Sequence, residues 1–143
     1  MPSLTLTRAN KMIKAAFAKA DELGLKPLGV CVYDAGGNLK AFQLQDGASI
    51  GRFAIVGGKA RGALAVGTGS RWLNKQAEDR PHFLAGVNTV VEGGVVPGPG
   101  GVIARDKKGE IIAAVGISGD TADNDEICAV AGIEACGYVA DIG

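Results

Sequence analysis

The sequence is short of the residues that bind metals and stack on bases. It has one histidine, His82, and a usual zinc site draws three or four ligands from histidine, cysteine and carboxylates. A serine–histidine–aspartate hydrolase would have to use His82 itself, and no Gly-x-Ser-x-Gly elbow occurs. Cys31, Cys128 and Cys136 stand singly among apolar residues, without Cys-x-x-Cys spacing, which points to reduced, buried thiols. Aromatic residues make up 5% of the chain, too few to build a base-stacking platform. Fifteen basic and fifteen acidic residues cancel, so no overall field favours nucleic acid or anionic lipid as a partner. No apolar run approaches membrane-spanning length. The opening Met-Pro-Ser-Leu-Thr-Leu-Thr lacks the apolar core of a secretion signal, so a cytoplasmic location is expected. No glycine-rich loop runs into Gly-Lys-Ser/Thr, and no Gly-x-Gly-x-x-Gly opens a helix after a strand, which argues against a nucleotide site.

What is abundant is glycine, 23 residues, within a chain that is 47% hydrophobic. That balance makes an ordered, closely packed domain, and the length fits one domain spanning 1–143. Thr7 is placed to cap a first helix, with Met12, Ile13, Ala16, Phe17, Ala20 and Leu23 at helical spacing and Gly24 ending it. Leu28 to Tyr33 and Leu39 to Gln45 read as strands joined by the turn Asp34-Ala35-Gly36-Gly37-Asn38. After a mixed helical segment starting near Arg71 and restarting at Pro81, Val102–Arg105 and Glu110–Ser118 form a second hairpin around Asp106-Lys107-Lys108-Gly109. A last helix is expected over about 124–140, capped by Asp123. Two hairpins pairing into one antiparallel sheet flanked by helices give an α+β fold.

The chemistry centres on Gln45 to Thr68. Asp46-Gly47 makes a turn, and Ser49 can cap the helix that follows. At about 100° per residue, Arg52, Val56, Lys59 and Ala63 share one stripe. Gly57, Gly58 and Gly62 lower helix propensity by roughly 1 kcal/mol each, so another backbone is expected to approach closely. Buried cations need an anionic partner: either an internal carboxylate, such as Asp46, or a bound carboxylate or enolate. A desolvated Lys59 would have a lowered pKa and could act as a base. Gly98–Gly101 offers backbone N–H groups, and Asp120, Asp123, Asp125 and Glu126 read first as capping and helix-dipole partners, with Asp125 also able to reach a pocket at the strand end.

Tyr33-Asp34-Ala35-Gly36-Gly37-Asn38-Leu39, Gln45-Asp46-Gly47-Ala48-Ser49, Gly58-Lys59-Ala60-Arg61, Pro97-Gly98-Pro99-Gly100-Gly101-Val102 and Val115-Gly116-Ile117-Ser118-Gly119 resemble the GlcG/HbpS-like haem-degrading domain family. That family includes the carboxy-terminal domain of PduO-type proteins. The resemblance implies a profilin-like antiparallel sheet flanked by helices, assembling as a homo-oligomer from dimer up to octamer. Some relatives bind haem through a histidine near the amino terminus, where this chain has none. Others resemble cofactor-independent enzymes acting on small aromatic compounds. The main reading is therefore a cofactor-free lyase or isomerase acting on a small anionic aromatic molecule. In it Lys59, Asp46 and Asp125 would be catalytic, and Arg52, Phe53, Trp72, Gly100, Gly101 and Ser118 would bind the ligand. The alternatives are a haem-binding or haem-degrading module, with His82 as a possible haem ligand, and a structural assembly protein without ligand. No metal site is expected.

Overall fold

A computed structural model describes residues 3–143. The first helix, α1 (Leu6–Leu23), has its cap two residues earlier than expected: Thr5 accepts from the Arg8 N–H at 3.1 Å, so Thr7 lies inside the helix. Gly24 ends it in the left-handed region, at φ 65°, as expected. Met12, Ile13 and Ala16 are fully buried, whereas Leu23, assigned to the same stripe, is exposed.

Strands β1 (Gly29–Asp34) and β2 (Leu39–Leu44) form the first hairpin. The Asp34 carboxylate fixes its turn by accepting from the Gly36 and Asn38 N–H groups. Strands β3 (Gly101–Arg105) and β4 (Ile111–Ser118) form the second, where Asp106 does the same work for Lys108 and Glu110. β1 pairs with β4, and a short β5 (Val139–Asp141) adds to β3, giving the antiparallel order β2-β1-β4-β3-β5. The last helix, α5 (Ala122–Ala135), is capped by Thr121 rather than Asp123 and stops at Cys136. Gly137, at φ 79°, turns the chain, so Val139–Asp141 becomes an edge strand instead of a continuing helix.

Alternation along the strands separates two cores. Val30, Val32, Val115 and Ile117 pack with Met12, Ile13 and Ile133 under α1 and α5. Cys31, Tyr33, Ile103 and Ala114 face α2 (Arg52–Val66) on the other side. Each fully buried isoleucine, leucine or valine contributes about 1.5–3 kcal/mol. Gly51, without a side-chain hydrogen bond, occupies the N-cap of α2, so Ser49 does not cap it. The glycines of α2 do admit other chain segments: a Cβ on Gly58 would lie 2.6 Å from Val96, and one on Gly62 would lie 2.8 Å from Leu73. Leu73 belongs to α3 (Arg71–Asp79), which leads into α4 (Pro81–Val90). Among the described residues, no helix is long and apolar enough to cross a membrane.

Candidate functional site

Lys59 turns inward, as its place on the stripe requires, and meets an internal partner. Its Nζ donates to the Ile117 carbonyl at 2.8 Å and to Asp125 Oδ2 at 3.3 Å. Lys59 is 5% exposed and Asp125 1%. The second Asp125 oxygen accepts from the Asp120 N–H at 3.0 Å. Burial lowers the Lys59 pKa although Asp125 pulls it back up, and burial raises that of Asp125 although Lys59 opposes it. Desolvation outweighs mutual attraction on both sides of this ion pair.

The glycine–proline loop closes over the pair. Ser70 Oγ donates to the Gly98 carbonyl and accepts from the Gly101 N–H at 2.8 Å. A Cβ on Gly100 would lie 2.9 Å from Lys59 Nζ, and one on Gly101 would strike the Lys59 carbonyl. Two turns earlier on α2, Arg52 Nη1 donates to Ser118 Oγ at 2.9 Å, and among the described residues no carboxylate pairs with it. Arg52 lines an open recess of about 320 Å³ with Lys26, Gly119, Asp120 and Thr121. Asp120 is held at about 2 by hydrogen bonds from Asn124, Lys26 and Thr121, so an anion entering there meets a carboxylate as well as two cations.

Six of the expected site residues therefore meet where α2 crosses the end of β4: Lys59, Asp125, Arg52, Ser118, Gly100 and Gly101. The others lie elsewhere. Asp46 is exposed and shares a recess of about 510 Å³ with Asp21, and no cation lines it. Phe53, 51% exposed, packs edge-on against Phe42 of the edge strand β2, with centroids 4.8 Å apart. Trp72 packs edge-on against Phe83 of α4, at 6.3 Å. Of the acidic run, Asp123 and Glu126 are taken by Arg71 in α3, at 2.5 and 3.0 Å. Sequence spacing gave no sign of that cross-link.

Helix α4 forms a second place of interest. Leu84, Val87 and Val90 make it apolar, yet none of its ten residues is buried. Pro81, Leu84, Ala85 and Asn88 border a recess of about 270 Å³ with Val95 and Pro97. His82 is exposed on this helix, and among the described residues its imidazole makes no hydrogen bond. Arg80, at the helix start, stacks over Phe83 at 4.4 Å and pairs with no carboxylate among the described residues. No group of three or more histidine, cysteine or carboxylate side chains among the described residues is placed to hold a metal ion.

The sheet order, with one helical layer on each face, defines a profilin-like α+β fold. Residues 4–134 match the family model for haem-degrading HbpS-like proteins, and the chain belongs to that family. It is 31% identical over 127 residues to a 15.0 kDa protein from the dhaT–dhaS intergenic region of Citrobacter freundii, covering 89% of this chain and 87% of that one. Its structure is similar to that of a PduOC–haem complex (TM-score 0.84, 25% identity, 96% of this chain and 97% of that chain). It is also similar to a double mutant of Streptomyces reticuli HbpS (0.80, 27%, 94% and 87%) and to the Klebsiella pneumoniae protein ORFY (0.84, 25%, 96% and 92%). These likenesses overturn the expectation of a chain without cofactor. They favour the haem alternative and lend nothing to a lyase or isomerase acting on aromatic compounds. The sequence reading went astray by taking the missing amino-terminal histidine as a reason to set haem aside.

Proposed function

We propose that this chain is a haem-binding protein and that haem lies on the α3–α4 surface with His82 as its axial ligand. Haem presents a wide apolar face, two carboxylates and an iron that takes a nitrogen donor. The observation that carries the assignment is α4 itself, an apolar helix with no buried residue and the only histidine of the chain. Trp72, Phe83 and Leu84 supply apolar surface, and Arg80 supplies a cation for a propionate. The imidazole of His82 has no competing partner among the described residues, so a ring nitrogen is open to iron. Bound haem would supply a redox-active iron, and the protein's part would be to hold the macrocycle and fix its axial donor.

The Lys59–Asp125 pair fits this role poorly. Both side chains are closed off from solvent and already neutralise each other, so neither is open to a propionate. Arg52, with only the Ser118 hydroxyl as partner, is the member of that cluster open to an anion. The homo-oligomer implied by the resemblance finds a surface at the free edge of β5, beside a largely apolar recess of about 640 Å³ lined by Val130, Tyr138, Val139 and Ile142.

Haem titration followed in the visible spectrum tests the assignment. A shifted Soret band saturating at one haem per chain is expected, lost in His82→Ala and weakened in Arg80→Gln. An unchanged spectrum in His82→Ala would move the axial ligand elsewhere.

A further inference from the structure

The acids around the start of α5 are all committed, and two cations beside them are not. Asp125 serves Lys59 and the Asp120 N–H. Asp123 and Glu126 hold Arg71. Asp120 accepts from the Lys26 N–H through Oδ2, at 3.0 Å, and from the Thr121 N–H and Asn124 Nδ2 through Oδ1, both at 2.8 Å. Among the described residues, no carboxylate lies within 4 Å of the Arg52 guanidinium or the Lys26 ammonium. A guanidinium carries five N–H donors, and among the described residues Arg52 uses only one, on Ser118. These two cations line the same recess, of about 320 Å³, with Gly119, Asp120 and Thr121.

Packing fixes the walls of this recess. Arg52 is half-buried, and its stem lies against Gly29, where a Cβ would come within 3.0 Å of the Arg52 Cβ. Ser118, 3% exposed, holds Nη1. The loop Gly119–Thr121 is pinned as well: a Cβ on Gly119 would strike the Pro27 carbonyl, and Asp125 Oδ1 accepts from the Asp120 N–H. Thr121 is also the N-cap of α5, so the positive end of that helix adds to the two side chains. Besides burial, the charge of Arg52 works to lower the Lys59 pKa, so an anion on Arg52 would relieve a repulsion within the buried cluster.

We propose that this recess binds a small carboxylate, with Arg52 and Lys26 as its cations. The charge balance selects the class. Two cations less the ionised Asp120 leave one positive charge, which a carboxylate cancels and a phosphate dianion exceeds. Attraction to that one charge doubles for a dianion, whereas the cost of stripping water from it rises roughly fourfold, with the square of the charge. A planar fork of N–H groups receives both carboxylate oxygens, and the ammonium adds a point charge. None of these residues is among those assigned to haem, so the site stands or falls independently of His82.

Two-dimensional amide spectra of the full chain at constant ionic strength test it, with sodium acetate in one arm and sodium phosphate, mostly a dianion at pH 7.5, in the other. Acetate is expected to shift the amides of Gly119, Thr121 and Ala122 saturably, and Arg52→Gln should weaken its binding by roughly tenfold or more. Lys26 is exposed, so Lys26→Gln keeps the fold and carries the test if Arg52→Gln fails to fold; it should weaken acetate by roughly threefold or more. Phosphate should bind more weakly than acetate. The proposal is overturned if acetate moves these amides only in proportion to its concentration, or if binding is undiminished in either folded variant. Tighter binding of phosphate than of acetate also overturns it.

Discussion

Replacing Lys59 with methionine removes one partner of the buried pair and leaves the hydrophobic packing nearly intact. Asp125, 1% exposed, then keeps only backbone N–H groups against its charge, and the Ile117 carbonyl loses its donor at 2.8 Å. Stranding one half of a buried ion pair costs about 3–5 kcal/mol. Domains of this size are stable by about 5–15 kcal/mol, so the variant should remain folded but be strongly weakened. With a urea slope of about 2 kcal/mol per molar, the unfolding midpoint should fall by roughly 2 M. The penalty should shrink at acid pH, because Asp125, whose pKa is already raised by burial, then escapes its charge by taking up a proton. The double variant Lys59→Met/Asp125→Leu should regain most of the loss, since an apolar pair of similar volume often equals a buried ion pair. Equilibrium urea unfolding at pH 7 and at pH 4 measures all three. A cost below about 1 kcal/mol for the single variant would refute the reasoning, as would a double variant no better than the single one.

The complementary change, Asp125→Asn, acts through Lys59. Burial already holds its pKa below 10.5, and without Asp125 it falls further. The folded state then gives up a proton that the unfolded chain keeps up to about that value. Stability in urea should therefore rise with pH across the alkaline range, more steeply than in the parent. Gly101→Ala should cost about 1–3 kcal/mol in thermal or urea unfolding, because the added methyl strikes the Lys59 carbonyl and backbone must move. Thiol labelling at pH 8 should reach the half-buried Cys136 first and spare Cys31, whose thiol burial pushes up to about 12.

The hairpins were open to reading because their turns carry their own chemistry. Asp34 and Asp106 each sit before a glycine and close the turn with their own side chains, so a few residues decide the structure locally. Pro81 likewise marked the start of α4. The glycines of α2 correctly announced a close approach, but nothing local named Val96 and Leu73 as the segments approaching. Lys59 found its anion 66 residues away in Asp125, a meeting set by how α5 follows β4. The helical pattern of residues 124–140 ran too far because Gly137 and the free edge of β3 outweighed it. Lys26 escaped notice because nothing local ties it to Arg52, and only the fold brings both to one recess. His82 was visible as a lone histidine. Its position on a helix without buried residues was not.

A structure determined after loading the protein with haem bears most directly on the account. It should show the macrocycle against α4, its iron bonded to an imidazole nitrogen of His82 and a propionate beside Arg80. An ordered haem bound elsewhere on the chain, with His82 still in solvent, would contradict it.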